Sequence, residues 1–154
     1  MLGGLVGTVF RAQNGLVSVR RLVVGGGRAC GFPRLKAGDL ALNRDPEAMP
    51  DLVGDVAWAP LASGVFEEVC FEKLPFAAFT GDNRRAIKEA VRVLRPGGRL
   101  IVETGWAVPG AEVRAAMRQA GLRYVKCKNV YAKGAPVGEV RRSFVRFTGR
   151  LRKR

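Results

Sequence analysis

The chain contains no histidine and only three cysteines among its 154 residues. Without histidine, Ser-His-Asp triads and most zinc and haem sites are excluded. Cys30, Cys70 and Cys127 are widely spaced and odd in number, so they match neither a zinc-ligand pattern nor a disulfide framework. We therefore predict no metal site, and the few scattered cysteines predict a reducing, cytoplasmic location.

The sequence also lacks long apolar runs and is poor in acids. No run approaches the ~20 apolar residues that cross a bilayer, so no membrane association is predicted. Met1 to Phe10 is apolar and rich in glycine but has no basic n-region, and we interpret residues 1–21 as a leader or a helix and not as a signal peptide. The net charge is +14, and residues 121–154 hold eleven Lys or Arg against the single acid Glu139. Most of the excess positive charge therefore lies in the last quarter of the chain.

Short apolar runs alternate with helical patterns along the chain. Strands are predicted at Leu22–Val24, Leu40–Leu42, Leu52–Val53, Val65–Phe71, Leu100–Val102, Tyr124–Lys128 and Ser143–Thr148. Helices are predicted over Asp82–Leu94 and Pro109–Ala120, each beginning at a residue suited to a helix start. The alternation predicts a parallel sheet, with the last two strands as an antiparallel pair at its edge. Between the first two strands, Gly31, Pro33 and Gly38 leave room for a turn or two where a doubly wound fold has a helix.

The junction from Arg92 to Leu100 is the most informative local pattern. Ile87, Ala90, Val91 and Leu94 recur at helical spacing, which indicates a helix packed on a sheet. Pro96 cannot continue that helix, and Gly97 and Gly98 can adopt the positive φ that reverses the chain. The sequence therefore predicts a helix that stops abruptly and a strand that begins at once.

Three segments follow the predicted parallel strands and are expected at their carboxyl ends, where open α/β sheets bind ligands. Gly25-Gly26-Gly27 allows a close approach of backbone to ligand, or is simply a tight turn. Asp45 comes 20 positions after Gly25, where an acid can accept both hydroxyls of a ribose; the alternative is a common Asp-Pro turn. Asp55 with the following Val56 can read the edge of an adenine, and Trp58 is expected either near this site or in the core.

The order of these motifs resembles the class I S-adenosylmethionine-dependent methyltransferases, from about Leu22 to Val102. The matching features are the glycine loop, the acid after the second strand, "G-D-x-x-x-x-P-L", "F-E-E-V" and "R-V-L-R-P-G-G-R-L". The resemblance implies a three-layer Rossmann-like α/β sheet, mostly parallel with an antiparallel C-terminal strand pair. It implies a methyltransferase-like domain over residues 22–149, followed by a basic tail at 150–154.

The resemblance also implies roles for individual residues. The backbone of Gly25 to Gly27 would flank the methionine part of S-adenosylmethionine, Asp45 would bind its ribose, and Asp55 with Val56 would bind its adenine. Glu72 would face the sulfonium or the substrate. Two positions depart from the family pattern, since Val23 stands where the family often has an acid that seats the cofactor's amino group, and Ala29 replaces the third glycine.

The implied function is methyl transfer from S-adenosylmethionine to an unidentified acceptor, with Glu72 or Glu103 able to accept a proton. The alternative is a weak or inactive methyltransferase-like module that binds nucleic acid or a protein through its basic C-terminal region. A further interpretation of that basic region is an ordinary solvated surface with no binding role. Since the chain has no insertion long enough for a lid, the substrate is large, a second subunit closes the site in a homodimer or larger assembly, or the chain is one module of a longer protein.

Overall fold

The computed structural model describes residues 9–12, 15–30, 35–72, 74, 84–104, 110–131 and 143–153. Its main element is a seven-stranded sheet with the spatial order β5-β4-β3-β6-β7-β9-β8. The strands are β3 (Arg21–Val24), β4 (Asp39–Asn43), β5 (Leu52–Val53), β6 (Phe66–Glu72), β7 (Leu94–Thr104), β8 (Leu122–Tyr131) and β9 (Ser143–Leu151). Strands β3 to β7 pair in parallel, and β9 lies antiparallel between β7 and β8. The predicted Rossmann-like α/β class, mostly parallel with an antiparallel C-terminal strand pair, is confirmed. Both α-helices of the described ranges pack on one face, so the third layer stays a prediction.

A separate hairpin precedes the sheet. Strands β1 (Val9–Ala12) and β2 (Gly15–Ser18) pair with each other in antiparallel register. The sequence predicts a leader or a helix over residues 1–21. Within that range, the described residues of this hairpin are extended strands. The predicted domain boundaries themselves stay a prediction.

Two helices pack on one face of the sheet. Helix α1 (Arg85–Val93) buries Ile87 and Ala90, and helix α2 (Gly110–Gln119) buries Val113 and Met117. These side chains share one apolar cluster with every second residue of the strands, among them Leu22, Val24, Val69, Phe71, Leu100, Val102 and Phe147. We call this side of the sheet the helix face. None of the helices in the described ranges is long and apolar enough to cross a membrane.

The helix-to-strand junction differs in detail from its prediction. Leu94 is the first residue of β7 and not the last of the helix, because its backbone is already extended, with φ −70° and ψ 135°, two residues before Pro96. Gly97 has a φ of +78°, whereas Gly98 does not share the positive φ; a Cβ there would instead lie 2.7 Å from the Arg95 carbonyl oxygen. The expected N-cap, Asp82, lies outside the described residues. The junction forms an irregularity in which β7 pairs with β6 at Leu94 and again from Arg99 onward.

Candidate cofactor site

Four neighbouring parallel strands end at one edge of the sheet, and each carries a predicted site segment there. In spatial order, β5 is followed by Asp55, β4 by Asp45 and β3 by Gly25 to Gly27, while β6 ends at Glu72. Because the carboxyl ends of parallel strands lie at the same edge, the fold brings these segments to one side of the molecule.

The glycine loop is packed tightly against its own protein. Gly25 has a φ of +87°, its N–H donates to the Leu42 carbonyl oxygen at 2.8 Å, and a Cβ there would lie 2.5 Å from the Glu72 carbonyl oxygen. A Cβ on Gly27 would lie 1.9 Å from the Ala48 carbonyl oxygen. Both glycines are thus needed by the turn itself. The loop N–H groups that remain candidates for holding a carboxylate are those of Gly26 and Gly27.

Hydrogen bonds to the β4–β5 connection hold the residues that follow this loop. The Arg28 N–H donates to the Met49 carbonyl oxygen and the Ala29 N–H to the Ala48 carbonyl oxygen, both at 3.1 Å. The Arg28 guanidinium also pairs with Asp51, whose other oxygen accepts the Ala41 N–H at 2.8 Å. The described part of the β3–β4 connection has turns and no helix, as the sequence predicts; residues 31–34 lie outside the described ranges. These bonds hold the residues after the glycine loop against the β4–β5 connection, at a place where a doubly wound fold has a helix.

Asp45 starts a short 3-10 turn, Pro46–Ala48. Its Oδ1 accepts the Glu47 N–H at 2.9 Å, and its own N–H donates to Asn43 Oδ1 at 3.0 Å. The side chain is exposed, and within the described ranges its second oxygen accepts no hydrogen bond. Asp45 therefore does form the predicted Asp-Pro turn, and its second carboxylate oxygen is still available to a ligand.

Asp55 starts a second 3-10 turn, Val56–Trp58, and is more fully engaged. One oxygen accepts the Ala57 N–H at 2.9 Å and the other pairs with Arg44. Partial burial raises the pKa of Asp55, but the hydrogen bonds from Arg44 and from the Ala57 N–H outweigh it, so the pKa lies below its ordinary value. As the first residue of the turn, Val56 has a backbone N–H with no partner inside the turn. The polar edge of a ligand at this position would face the Asp55 carboxylate and the Val56 N–H donor side by side.

Trp58 lies at the surface and not in the core. Its side chain is 61% exposed, and the guanidinium carbon of Arg85 lies 3.1 Å from the ring centroid. Arg85 Nε donates in turn to the Ala57 carbonyl oxygen at 2.9 Å. This cation–π contact and hydrogen bond connect the start of α1 to the Asp55 turn.

Two buried carboxylates lie at the carboxyl ends of β6 and β7, and β6 is the strand beside β3 and its glycine loop. Glu72 and Glu103 are each 4% exposed and occupy paired positions on β6 and β7. Glu103 accepts a hydrogen bond from Arg146 Nε at 2.7 Å. An oxygen of Glu72 lies 3.3 Å from where a Cβ on Gly26 would be. Val23 faces the same side of the sheet as Glu72, because it pairs with Cys70. A carboxylate from β6 thus lies beside the loop, next to the position where the sequence has Val23 in place of the family's acid.

Cys70 lies on that same side and is chemically inert. Burial, together with the nearby Glu103 carboxylate, raises the pKa of the Cys70 thiol to about 12. The thiol is therefore neutral near pH 7 and is not a nucleophile.

The sequence interpretation missed the residues that hold this edge together. Asn43 accepts the Asp45 N–H through Oδ1 and donates through Nδ2 to the Gly26 carbonyl oxygen at 3.3 Å, so it links the glycine loop to the Asp45 turn. The available signal was its position as a short amide side chain at the end of the second strand. Arg44 and Asp51 were missed as well, because their partners are distant in sequence.

The sequence matches no protein-family model and no curated protein. Solved structures nevertheless share its architecture. One is a SAM-dependent methyltransferase, possible histamine N-methyltransferase, from Thermotoga maritima, with 19% identity, a TM-score of 0.63, and coverage of 86% of this chain and 82% of that one. Another is phosphoethanolamine N-methyltransferase 2 of Haemonchus contortus in complex with S-adenosyl-L-methionine, with 10% identity, a TM-score of 0.58, and coverage of 89% and 49%.

The chain has the class I methyltransferase fold. A third similar structure, the [4+2]-cyclase SpnF, has 16% identity, a TM-score of 0.62, and coverage of 90% of this chain and 77% of that one. The class I fold therefore also occurs in a protein named for a different reaction, and the residues at the carboxyl edge must carry any argument about chemistry.

Proposed function

We propose that the chain is an S-adenosylmethionine-dependent methyltransferase whose acceptor is unidentified. The observation that carries the proposal is the arrangement of Asp55, Asp45, the glycine loop and Glu72 at the ends of four adjacent parallel strands. This is the edge at which an open α/β sheet binds a ligand. The class I fold and its methyltransferase neighbours support the same proposal.

The residues present fit the chemical groups of the proposed cofactor. The second oxygen of Asp45 can accept from ribose hydroxyls, and the Val56 N–H with Asp55 can face adenine. The absence of a side chain at Gly26 leaves the Glu72 carboxylate next to the loop, where it can hold an ammonium group. Arg44 and the Ala57 N–H already occupy Asp55, so adenine binding would require the exposed Arg44 side chain to turn away.

When bound, the cofactor supplies an electrophilic methyl carbon for an in-line displacement. The main task of this chain is then to hold acceptor and methyl group in line, which can contribute ~7–11 kcal/mol. No strong base is needed for an amine or an acidic hydroxyl, so the absence of histidine is compatible with the reaction. Glu72 and Glu103 are the two buried carboxylates that can take a proton, and Glu103 also accepts a hydrogen bond from Arg146 Nε.

Titration calorimetry with S-adenosylhomocysteine tests this proposal on the full chain. Asp45→Asn keeps the oxygen that caps the 3-10 turn and replaces the free acceptor oxygen by a donor. A hydrogen bond to a charged group is worth roughly 1.5–3 kcal/mol, so we expect at least about tenfold weaker binding. Glu47→Gln removes the same charge from the same loop and should leave the affinity unchanged.

Absence of binding up to millimolar ligand would contradict the proposal and would favour the non-catalytic module. Equal affinities for Asp45→Asn and wild type would show that the ribose site is misplaced. The cytoplasmic location and the assembly into a homodimer or larger complex stay predictions from the sequence.

A further inference from the structure

The sheet face opposite the helices carries a row of charged side chains. Strand pairing places six residues side by side across six strands, from β4 to β8: Asp39, Arg21, Glu68, Arg99, Arg150 and Arg123. Residues paired in this way point to the same face of a sheet. We call this side the charged face.

The first four members of the row neutralise one another. Arg21 Nε donates to Asp39 at 2.9 Å, and an Arg21 amine lies 3.7 Å from Glu68. Arg99 Nε donates to Glu68 at 2.7 Å. Further along the same face, Glu103 pairs with Arg146 at 2.6 Å. These three acids are therefore already committed to arginines.

Apart from Arg146, the cations of the charged face on β8 and β9 form no ion pair within the described ranges. Arg150 and Arg123 lie opposite each other, and Lys126 and Lys128 continue the charged face along β8, opposite Thr148 and Arg146. Arg123, Lys126, Lys128 and Arg150 are exposed, and none forms an ion pair with another residue of the described ranges. We call these four residues the basic patch.

Protection of the sheet edge does not account for the whole patch. Lysines on an edge strand discourage pairing with other chains, and β8 is an edge strand. Arg150, however, is on β9, one strand inside the edge, where no open backbone groups need protection. The patch thus extends across a face and not only along an edge.

We propose that the basic patch binds the phosphodiester backbone of a nucleic acid. Cations two residues apart on a strand are separated by roughly 6–7 Å and those on adjacent strands by about 5 Å, which gives a two-dimensional array of phosphate contacts. A membrane surface fits less well, because the large exposed apolar side chains among the described residues, Met49, Val53 and Trp58, are all at the opposite end of the strand order. This surface does not depend on cofactor binding.

Fluorescence anisotropy with a labelled 20-nucleotide single strand, as RNA and as DNA of the same sequence, tests the proposal at several salt concentrations. Four phosphate contacts on a single strand predict a slope of log K against log salt of about −2.8. Lys126→Gln with Arg150→Gln should make the slope shallower by about 1.4 and weaken binding roughly tenfold at 0.15 M salt. The matched control, Lys88→Gln with Arg118→Gln, removes the same two charge types from exposed positions on α1 and α2. It should leave the slope unchanged.

Equal losses in the two double variants would overturn the proposal, because binding would then follow net charge alone. An unchanged slope in the patch variant would overturn it too, as would stronger binding to phosphatidylserine vesicles than to either oligonucleotide. Tighter binding of the RNA strand than of the DNA strand would identify RNA as the ligand of the basic patch. Equal binding of both strands would show that the patch recognises only the phosphodiester backbone. Thermal melting checks that both double variants are folded, which is expected because all four substituted side chains are exposed.

Discussion

The contact between Gly27 and the β4–β5 connection offers a sharp test of how the glycine loop is held. In Gly27→Ala the new Cβ would lie 1.9 Å from the Ala48 carbonyl oxygen and 2.7 Å from its carbonyl carbon. Both atoms belong to the backbone, so no side-chain rotation can relieve the clash. The loop and the connection must separate.

The cost follows from what the separation breaks. The Arg28 and Ala29 N–H groups would lose acceptors at Met49 and Ala48, at about 1 kcal/mol for each hydrogen bond. Residual overpacking adds about 1–3 kcal/mol, and the reduced freedom of the unfolded chain returns about 0.4–1 kcal/mol. We expect the free energy of unfolding to fall by about 2–5 kcal/mol, and Tm to fall by about 4–20 °C at the roughly 2–4 °C per kcal/mol that holds for a chain of this size.

Urea denaturation followed by circular dichroism measures this change. Gly54→Ala is the matched control, because it follows β5 at the same end of the sheet and its Cβ would meet nothing closer than Leu42 Cδ1 at 3.8 Å. That variant should remain within about 0.5 kcal/mol of wild type. If the two variants had equal stability, the close packing of Gly27 on Ala48 would be wrong.

Two further predictions concern titratable groups. Because the pKa of Asp55 is lowered in the folded state, its ionised form stabilises the fold above about pH 4, and this contribution is lost as the pH falls through the lower folded value. Asp55→Asn should therefore lose less stability than wild type between pH 6 and pH 3 in urea titrations; an identical pH profile would contradict the assignment. Native protein treated with a maleimide at pH 8 should be labelled at the exposed Cys127 and not at the buried Cys70, whose pKa is about 12. Peptide mass spectrometry reads out both sites, and rapid labelling of Cys70 would refute its burial.

The strands of the main sheet were predictable because their apolar residues are local signals. Leu22–Val24, Leu40–Leu42 and Leu100–Val102 are short apolar runs that lie between turn residues, and all three form buried strands. The β1–β2 hairpin was missed although the sequence has the dipeptide Asn14-Gly15, a strong hairpin signal, where β2 begins at Gly15. The glycines of the preceding segment had directed the interpretation toward a leader.

The charged face could not be predicted from local sequence patterns. Arg21, Asp39 and Glu68 are far apart in sequence, and each alone suggests an ordinary solvated side chain. Only the register of β3, β4 and β6 brings them into one partly buried network. The basic residues of β8 and β9 were predicted as a region of the chain, but their common face required the strand pairing.

The position of β9 also has a consequence for how the protein is made. This strand lies between β7 and β8, yet it follows both in sequence. While the ribosome adds the residues from Thr104 to Leu151, β7 has no partner on that side, and β8 with α2 cannot join the sheet. At synthesis rates of about 5–20 residues per second this interval lasts roughly 2–10 s. During that time the nascent chain carries an open strand edge that can pair with another chain, and its solubility depends on closing that edge promptly.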